Sequence, residues 1–504
     1  MKKVIVILIV AGLLPSLQAQ TNLPARSLSL QDCITEALQH NFDVQVARYS
    51  PEISGYNLSA AFGGYDPTFS VSGQHAYSVT PGSLAQNQIP YPSSESDIDS
   101  FNSGITGVLP WGFQYDLSAN VSQNNGTSFG QSGTNNFVSP NNYETANGSI
   151  GITMTQPLLK NFWIDNTRLQ IKAARNNLKY SEQGLRAQLI TSVTAIENAY
   201  YELIYARENL EVQQEALKLA QTQLDQDRQR MDIGTLAELS VEQDQSQVAQ
   251  NEANVITAES TLDSDENALK NLITDDFKQW HSINLVPSES LIATKQDYDL
   301  QDSWNRGMTL RPDLLQAQIT LEQQGIQLKF DRNQLFPELN LTGSYGYNGA
   351  GAVYNDVFSQ YRNQDSPFYT YGANLSIPLA NVEPRNAYKA DKVTERQDLL
   401  KLKQIEQNIL VEIDNAVKQS ESDYESVQAT RQSRIYAEAA LDAEQKTYAV
   451  GKATTFEVLT YQNNLTTARG QEIRALANYE EALATLAQQE GSTLQRRNID
   501  LVVQ

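Results

Sequence analysis

One set of motifs occurs twice along the chain, in the same order, and this duplication restricts the fold to two copies of one unit. Leu30-Gln31-Asp32 opens a helical stretch ending in Ala37-Leu38-Gln39-His40-Asn41-Phe42-Asp43. Leu300-Gln301-Asp302 opens another, ending in Gly307-Met308-Thr309-Leu310-Arg311-Pro312-Asp313. The openings are 270 residues apart, and Pro67 and Pro337 keep that offset. Gln156-Pro157-Leu158 and Ile377-Pro378-Leu379 follow at an offset of 221. Arg230-Met231-Asp232-Ile233-Gly234 and Thr447-Tyr448-Ala449-Val450-Gly451 follow at 217. The first copy therefore carries 49 more residues between its two prolines, the difference between 270 and 221. The spacing predicts a first repeat over 20–273, a connector over 274–297, a second repeat over 298–490 and a tail over 491–504. Each repeat has the predicted order helix, strand region, very long helix, tight turn, second helix.

The strand regions lie within 66–157 and 338–379, where Gly, Ser, Asn, Thr and Tyr dominate and side chains alternate with period two. Phe69, Val71, His75, Tyr77 and Val79 alternate with Thr68, Ser70, Ser72, Gln74 and Ser78. Phe113, Tyr115, Leu117, Ala119 and Val121 do so with Gln114, Asp116, Ser118, Asn120 and Ser122, and Ile150, Ile152 and Met154 with Ser149, Gly151 and Thr153. The second copy repeats the pattern around Leu339–Tyr347 and Tyr369–Ile377. One apolar and one small polar face suit a wall between lipid and a watery lumen, although a soluble antiparallel sheet alternates in the same way. The additional 49 residues fit one more strand pair, turning at Leu109-Pro110-Trp111-Gly112, or an elaborated loop outside the membrane. Six strands cannot enclose a lumen, since the smallest membrane barrels need about eight. A barrel built from this chain must therefore be shared between copies.

Beyond Pro157 the period changes. Leu189, Ile196, Leu203, Leu210, Leu217, Leu224 and Met231 recur every seven residues, and Ala199, Ala206 and Ala220 stand three residues after members of that row. This is a coiled-coil seam with small residues that allow close approach. Ile413, Val427, Leu441 and Tyr448 repeat it at offset 217. Helical hairpins are predicted over 164–273 and 384–489; the first long helix would measure roughly 100 Å at about 1.5 Å per residue. Gly234 and Gly451 end the long helices as C-terminal glycines do. Pro67, Pro157, Pro337 and Pro378 read as bends where strand meets helix.

Residues 1–19 read as a secretory signal peptide: Lys2 and Lys3, the apolar run Val4–Leu14, and a cleavage site after Ala19. The formal charge of -22 makes nucleic acid a poor partner. It fits a large solvated helical surface or an acidic interior lining that favours cations. The single cysteine, Cys33, excludes an internal disulfide, and His40, His75 and His281 share no metal-ligand spacing. With no nucleophile set, no phosphate loop and no metal constellation, neither enzymatic activity nor a cofactor is expected. Acidic residues scattered on the helices read as solvated faces.

The ordered, duplicated set resembles the TolC-like outer-membrane efflux protein family. The features that carry the resemblance are the openings around Leu30–Asn41 and Leu300–Arg311, the prolines at 67 and 337, the exits at Pro157 and Pro378, and the Tyr448-x-x-Gly451 turn. The resemblance implies an α+β membrane protein: a duplicated unit giving a trimer-shared transmembrane β-barrel and a long periplasmic α-helical coiled-coil tunnel. It implies a homotrimer in outer-membrane lipid, with a periplasmic adaptor protein and an inner-membrane pump or secretion transporter as partners. Such a chain would conduct substrate passively. The resemblance also implies an acidic periplasmic gate at Glu457, where a second acidic position is Thr460 here and the first copy has Ser240. Adaptor contacts would fall on the tip turns at Gly234, Thr235, Leu236, Gly451 and Lys452. The rival reading is an envelope-spanning structural coiled coil without transport.

Overall fold

The computed structural model describes residues 25–84, 90–132 and 137–499. The predicted signal peptide lies outside them. In chain order the first copy comprises β1 (Ala25–Leu28), α1 (Leu30–His40), α2 (Phe42–Ala61), β2 (Thr68–Thr80), β3 (Ser94–Val108), β4 (Gln114–Ser132), β5 (Phe137–Pro157), α3 (Asn166–Asp232) and α4 (Glu238–Ile273). Two short elements follow, α5 (Phe277–Trp280) and β6 (Asn284–Pro287). The second copy comprises α6 (Leu300–Leu310), α7 (Pro312–Gln334), β7 (Glu338–Gly351), α8 (Tyr354–Asn363), β8 (Pro367–Ser376), α9 (Val382–Ala449) and α10 (Thr455–Glu490), and α11 (Thr493–Arg496) ends the described chain.

The opening helix of each copy is a pair rather than one. Asn41 takes an extended conformation after α1, and its Oδ1 accepts from the Val44 amide at 3.1 Å. Pro312 starts α7, where a missing N–H costs nothing. The connector, predicted only as a link, contains α5 and β6. β6 pairs in parallel with β1, Ala25 opposite Asn284.

The chain divides into two compact units. Among the described residues, one draws on 25–46, 188–310 and 409–499 and is helical apart from the β1–β6 pair. Its buried apolar side chains include Leu30, Cys33 and Ile34 of α1, Val193, Ile196, Tyr200 and Leu203 of α3, Leu269 and Ile273 of α4, and Ile409 and Ile413 of α9. The buried Tyr200 hydroxyl donates to the Leu28 carbonyl at 3.1 Å. Burial pushes the Cys33 thiol up to about 12, which leaves it unreactive. In the seven-residue row, Leu189, Ile196, Leu203 and Leu224 are buried, as are Ile413, Val427, Leu441 and Tyr448 of α9.

The other unit draws on Ala47–Ala187 and Arg311–Asn408 and holds one antiparallel sheet, in the order β2-β3-β4-β5-β7-β8. The additional residues of the first copy are strands: β3 and β4 turn through Pro110–Gly112, where Trp111 and Gly112 both have positive φ. The register puts Phe69, Ile105, Leu117, Ile152, Tyr345 and Tyr369 in one row across all six strands. Side chains alternate along a strand, so the next row, Ser70, Gly104, Ser118, Gly151, Gly346 and Phe368, lies on the opposite face. One face thus exposes Phe69, Val71, Ile105, Leu117, Ile150, Met154, Tyr345, Tyr369 and Tyr371. The other carries small polar side chains, tied at Asn120 Nδ2 to Ser149 Oγ by 2.8 Å. The sheet is open, with β2 and β8 each paired on one side only.

Helix α8 was not expected from the residue pattern. It packs on the apolar face, with Val357 fully buried against Val121 and Ala146. Tyr354 meets Phe101 edge-on at 6.0 Å. Gly148 and Gly349 lie beneath α8, and a Cβ at Gly349 would stand 2.8 Å from Val357 Cγ1. Only glycine lets the helix approach the sheet this closely. Among the described residues no helix is long and apolar enough to cross a membrane.

Candidate functional site: the hairpin ends and the sheet faces

The two long helices end in the same way. Gly234 N–H donates to the Met231 carbonyl and Thr235 N–H to that of Arg230; Gly451 and Lys452 repeat this on Tyr448 and Thr447. Gly234 and Gly451 have φ of 79° and 76°, the left-handed conformation that closes a helix and that side chains resist. Four large apolar side chains stand exposed around these turns: Ile233, Leu239, Val450 and Phe456. They too match at offset 217, Ile233 with Val450 and Leu239 with Phe456. Leu236 is half-buried, while Gly234, Thr235, Gly451 and Lys452 are exposed.

The return helices start differently. Thr454 caps α10: its Oγ1 accepts from the Glu457 amide, and the Glu457 carboxylate accepts from Thr454 N–H at 2.7 Å and Oγ1 at 2.9 Å. These hydrogen bonds hold the exposed Glu457 carboxyl below its usual range. In the first copy Ala237 and Ser240 occupy the corresponding positions, and α4 has no side-chain cap.

Beneath the turns lies a feature opposite to the expected solvated faces. Asp227 of α3 and Asp244 of α4 are both 0% exposed. Asp227 Oδ2 accepts from Gln223 Nε2 at 2.9 Å, Tyr448 Oη at 2.7 Å and Thr455 Oγ1 at 3.2 Å, so it joins α3, α9 and α10. Arg230 reaches within 3.7 Å of Asp227 Oδ1 and lies over the Tyr448 ring. Neither Asp244 oxygen meets a donor among the described residues, and a proton shared with the Asp227 carboxylate is the hydrogen bond its position offers. Burial first, then the charge of Asp227, pushes the Asp244 carboxyl up to about 7, so it holds a proton well above the usual carboxylate range. The signal was present in the sequence. Asp227 stands three residues after Leu224, the seam position that Ala199, Ala206 and Ala220 fill elsewhere.

The four prolines flank the sheet. Pro67 and Pro337 each precede a strand by one residue, Pro157 is the last residue of β5, and Pro378 lies two past β8. Past β5 the chain is held by Leu158 N–H on the Leu339 carbonyl at 2.8 Å and Asn161 N–H on Asn333 Oδ1 at 2.7 Å. On the sheet, histidine spacing alone gave no metal expectation. Strand pairing nonetheless brings His75 Nδ1 to 2.9 Å from Asp99 Oδ1 and 3.3 Å from Asp97 Oδ1.

A duplicated helical hairpin with one shared, open sheet is the arrangement that the comparisons with known proteins bear on. The family model for outer membrane efflux proteins matches residues 33–274 and 308–492. The chain belongs to the outer membrane efflux protein family. Within it, the chain is 24% identical over 361 residues to the outer membrane protein TolC of Vibrio cholerae, covering 68% of this chain and 78% of that one. It is 22% identical over 300 residues to the cation efflux system protein CusC of Escherichia coli, covering 59% and 63%. Among solved structures, the Campylobacter jejuni CmeC outer membrane channel aligns with a TM-score of 0.64 at 15% identity, over 92% of this chain and 86% of that one. The open state of the Neisseria gonorrhoeae MtrE outer membrane channel aligns at 0.65 and 16%, over 94% and 91%. The fold is that of these channels. Family membership makes this chain an outer-membrane channel component of an efflux system, located in the outer membrane; the family is one of channels rather than enzymes.

Proposed function

We propose that three copies of this chain close one barrel of eighteen strands and pair their long helices into a periplasmic tunnel. The observation that carries this reading is the open six-stranded sheet with an apolar row running across every strand. Unpaired strand edges cannot face lipid, and six strands are too few to enclose a lumen. Pairing β8 of one copy with β2 of the next satisfies both edges at once; every number of six-stranded copies keeps the strand count even, as membrane barrels have, and the family resemblance supplies the number three. The repeats at 20–273 and 298–490, joined by the connector at 274–297, then supply one quasi-equivalent hairpin each to the tunnel wall. The mass of the detergent-solubilised protein tests this reading: three chains are expected, and a stable, correctly folded monomer or dimer would overturn it.

The conduit is passive, and energy comes from an inner-membrane pump or secretion transporter reached through a periplasmic adaptor. The adaptor meets the exposed turns at Gly234, Thr235, Leu236, Gly451 and Lys452. The exposed Ile233, Leu239, Val450 and Phe456 add the apolar anchors that such contacts need.

Glu457 rings the entrance as a gate. It also caps α10, and a substitution can separate the two roles. A glutamine at this position still accepts the Thr454 N–H bond, so Glu457→Gln removes charge and keeps the cap. The variant is expected to melt like the wild type while its channel loses block by multivalent cations. Unchanged block would count against the gate.

A further inference from the structure

We propose that His75, Asp97 and Asp99 form a binding site for a first-row divalent transition-metal ion on the apolar-row face of the sheet. The residues sit on the paired strands β2 and β3, which fix them relative to one another. His75 is directly opposite Asp99, and Asp97 is one pair further on, opposite Tyr77. All three therefore share the face that carries Phe69 and Ile105. His75 lies six residues beyond Phe69, about 20 Å along the strand at ~3.3 Å per residue.

The geometry is that of ligands around one ion. The His75 Nδ1 to carboxylate separations are 2.9 and 3.3 Å, and one ligand atom from each of the three residues lies within 4.8 Å of the others. An ion bonded at about 2.1 Å to two donors spaces them about 3.0 Å apart at a right angle and about 3.4 Å at the tetrahedral angle. All three side chains are partly exposed, which leaves the remaining coordination positions to water. The Tyr354 hydroxyl of α8 donates to the Asp99 carbonyl at 3.0 Å and anchors the strand at this point.

Charge favours the same reading. From Thr68 to Pro157 the chain has five acidic residues and no Lys or Arg, so His75 is the only basic side chain of that segment. Just past the apolar rows, the same face carries Asp97, Asp99 and, on β5, Glu144. A protonated His75 offsets one of these charges, whereas a neutral imidazole with a bound divalent ion offsets two. One imidazole and two carboxylates make a mixed N/O set, which suits Zn²⁺ and its neighbours better than Ca²⁺ or Mg²⁺.

The test is a calorimetric titration of the full-length detergent-solubilised protein with Zn²⁺ at pH 7. One saturable ion per chain is expected. His75→Ala is expected to abolish it and Asp99→Asn to weaken it at least tenfold, with oligomer mass and melting unchanged in both. The proposal is overturned if the wild type shows no saturable Zn²⁺ binding, if His75→Ala binds as the wild type does, or if Ca²⁺ binds as tightly as Zn²⁺.

Discussion

Raising the pH from 5 to 8 is expected to weaken the packing of the hairpin ends, and Asp244→Asn is expected to remove most of that dependence. Asp227 and Asp244 are fully buried and face one another from α3 and α4, with Gln223, Arg230, Tyr448 and Thr455 as the surrounding polar groups. The folded-state pKa of Asp244 is raised to about 7, above an unfolded value of about 3.9. Folding therefore takes up a proton between these limits. The stability this contributes is complete below the unfolded pKa, declines as the pH rises, and is gone beyond about 7. At ~1.36 kcal/mol per pH unit the window is worth roughly 2–4 kcal/mol. An asparagine at this position stays neutral throughout, so the variant should lose Asp244's share of the dependence between pH 5 and pH 8, while Asp331 and Glu481, whose carboxyls burial also raises to about 6 and about 7, keep theirs. Thermal unfolding at several pH values measures this directly. A wild type without pH dependence, or a variant that tracks it, would contradict the assignment. Above pH 7 a charge on the buried Asp244 is opposed by its burial and by the neighbouring Asp227, which biases the α3–α4 hairpin end toward separation.

The second large effect separates the two faces of the sheet. Leu117 lies in the apolar row between Ile105 and Ile152, and Ser118 is its neighbour on the other face. An arginine on the lipid side near the bilayer midplane costs about 2–4 kcal/mol, while lumen positions tolerate charge. Leu117→Arg is therefore expected to reduce the yield of inserted oligomer severely, the cost recurring in every chain. Ser118→Arg is expected to insert normally and lower cation conductance. The opposite pair of results would mean that the faces have been assigned the wrong way round.

What the sequence made legible follows from periodicity. Strand alternation, the seven-residue row and the glycine turns each repeat a local rule many times, and the constant offsets align the copies. The 49 additional residues form strands on both sides of Pro110–Gly112; the alternation is clean through Tyr115, Leu117 and Ala119 after the turn and weaker over 101–109 before it. The elements that escaped are short or depend on distant partners. β6 is four residues long and pairs with β1 across more than two hundred residues. α8 is ten residues that follow the glycine-rich β7, and the clue to it lies in Gly148, on a strand of the other copy. The His75 cluster needed the register of β2 against β3, because spacing in sequence does not identify Asp97 and Asp99 as its partners. Asp227 was readable in principle, since its place in the seam marks it as interior, but an aspartate on a long acidic helix draws the opposite expectation.

Planar-bilayer recording from the purified, inserted oligomer tests the central claim most directly. A channel shared between copies, with Glu457 at its entrance, predicts steady ion current in steps of one size and a preference for cations. A correctly assembled and inserted oligomer that passes no current would contradict it.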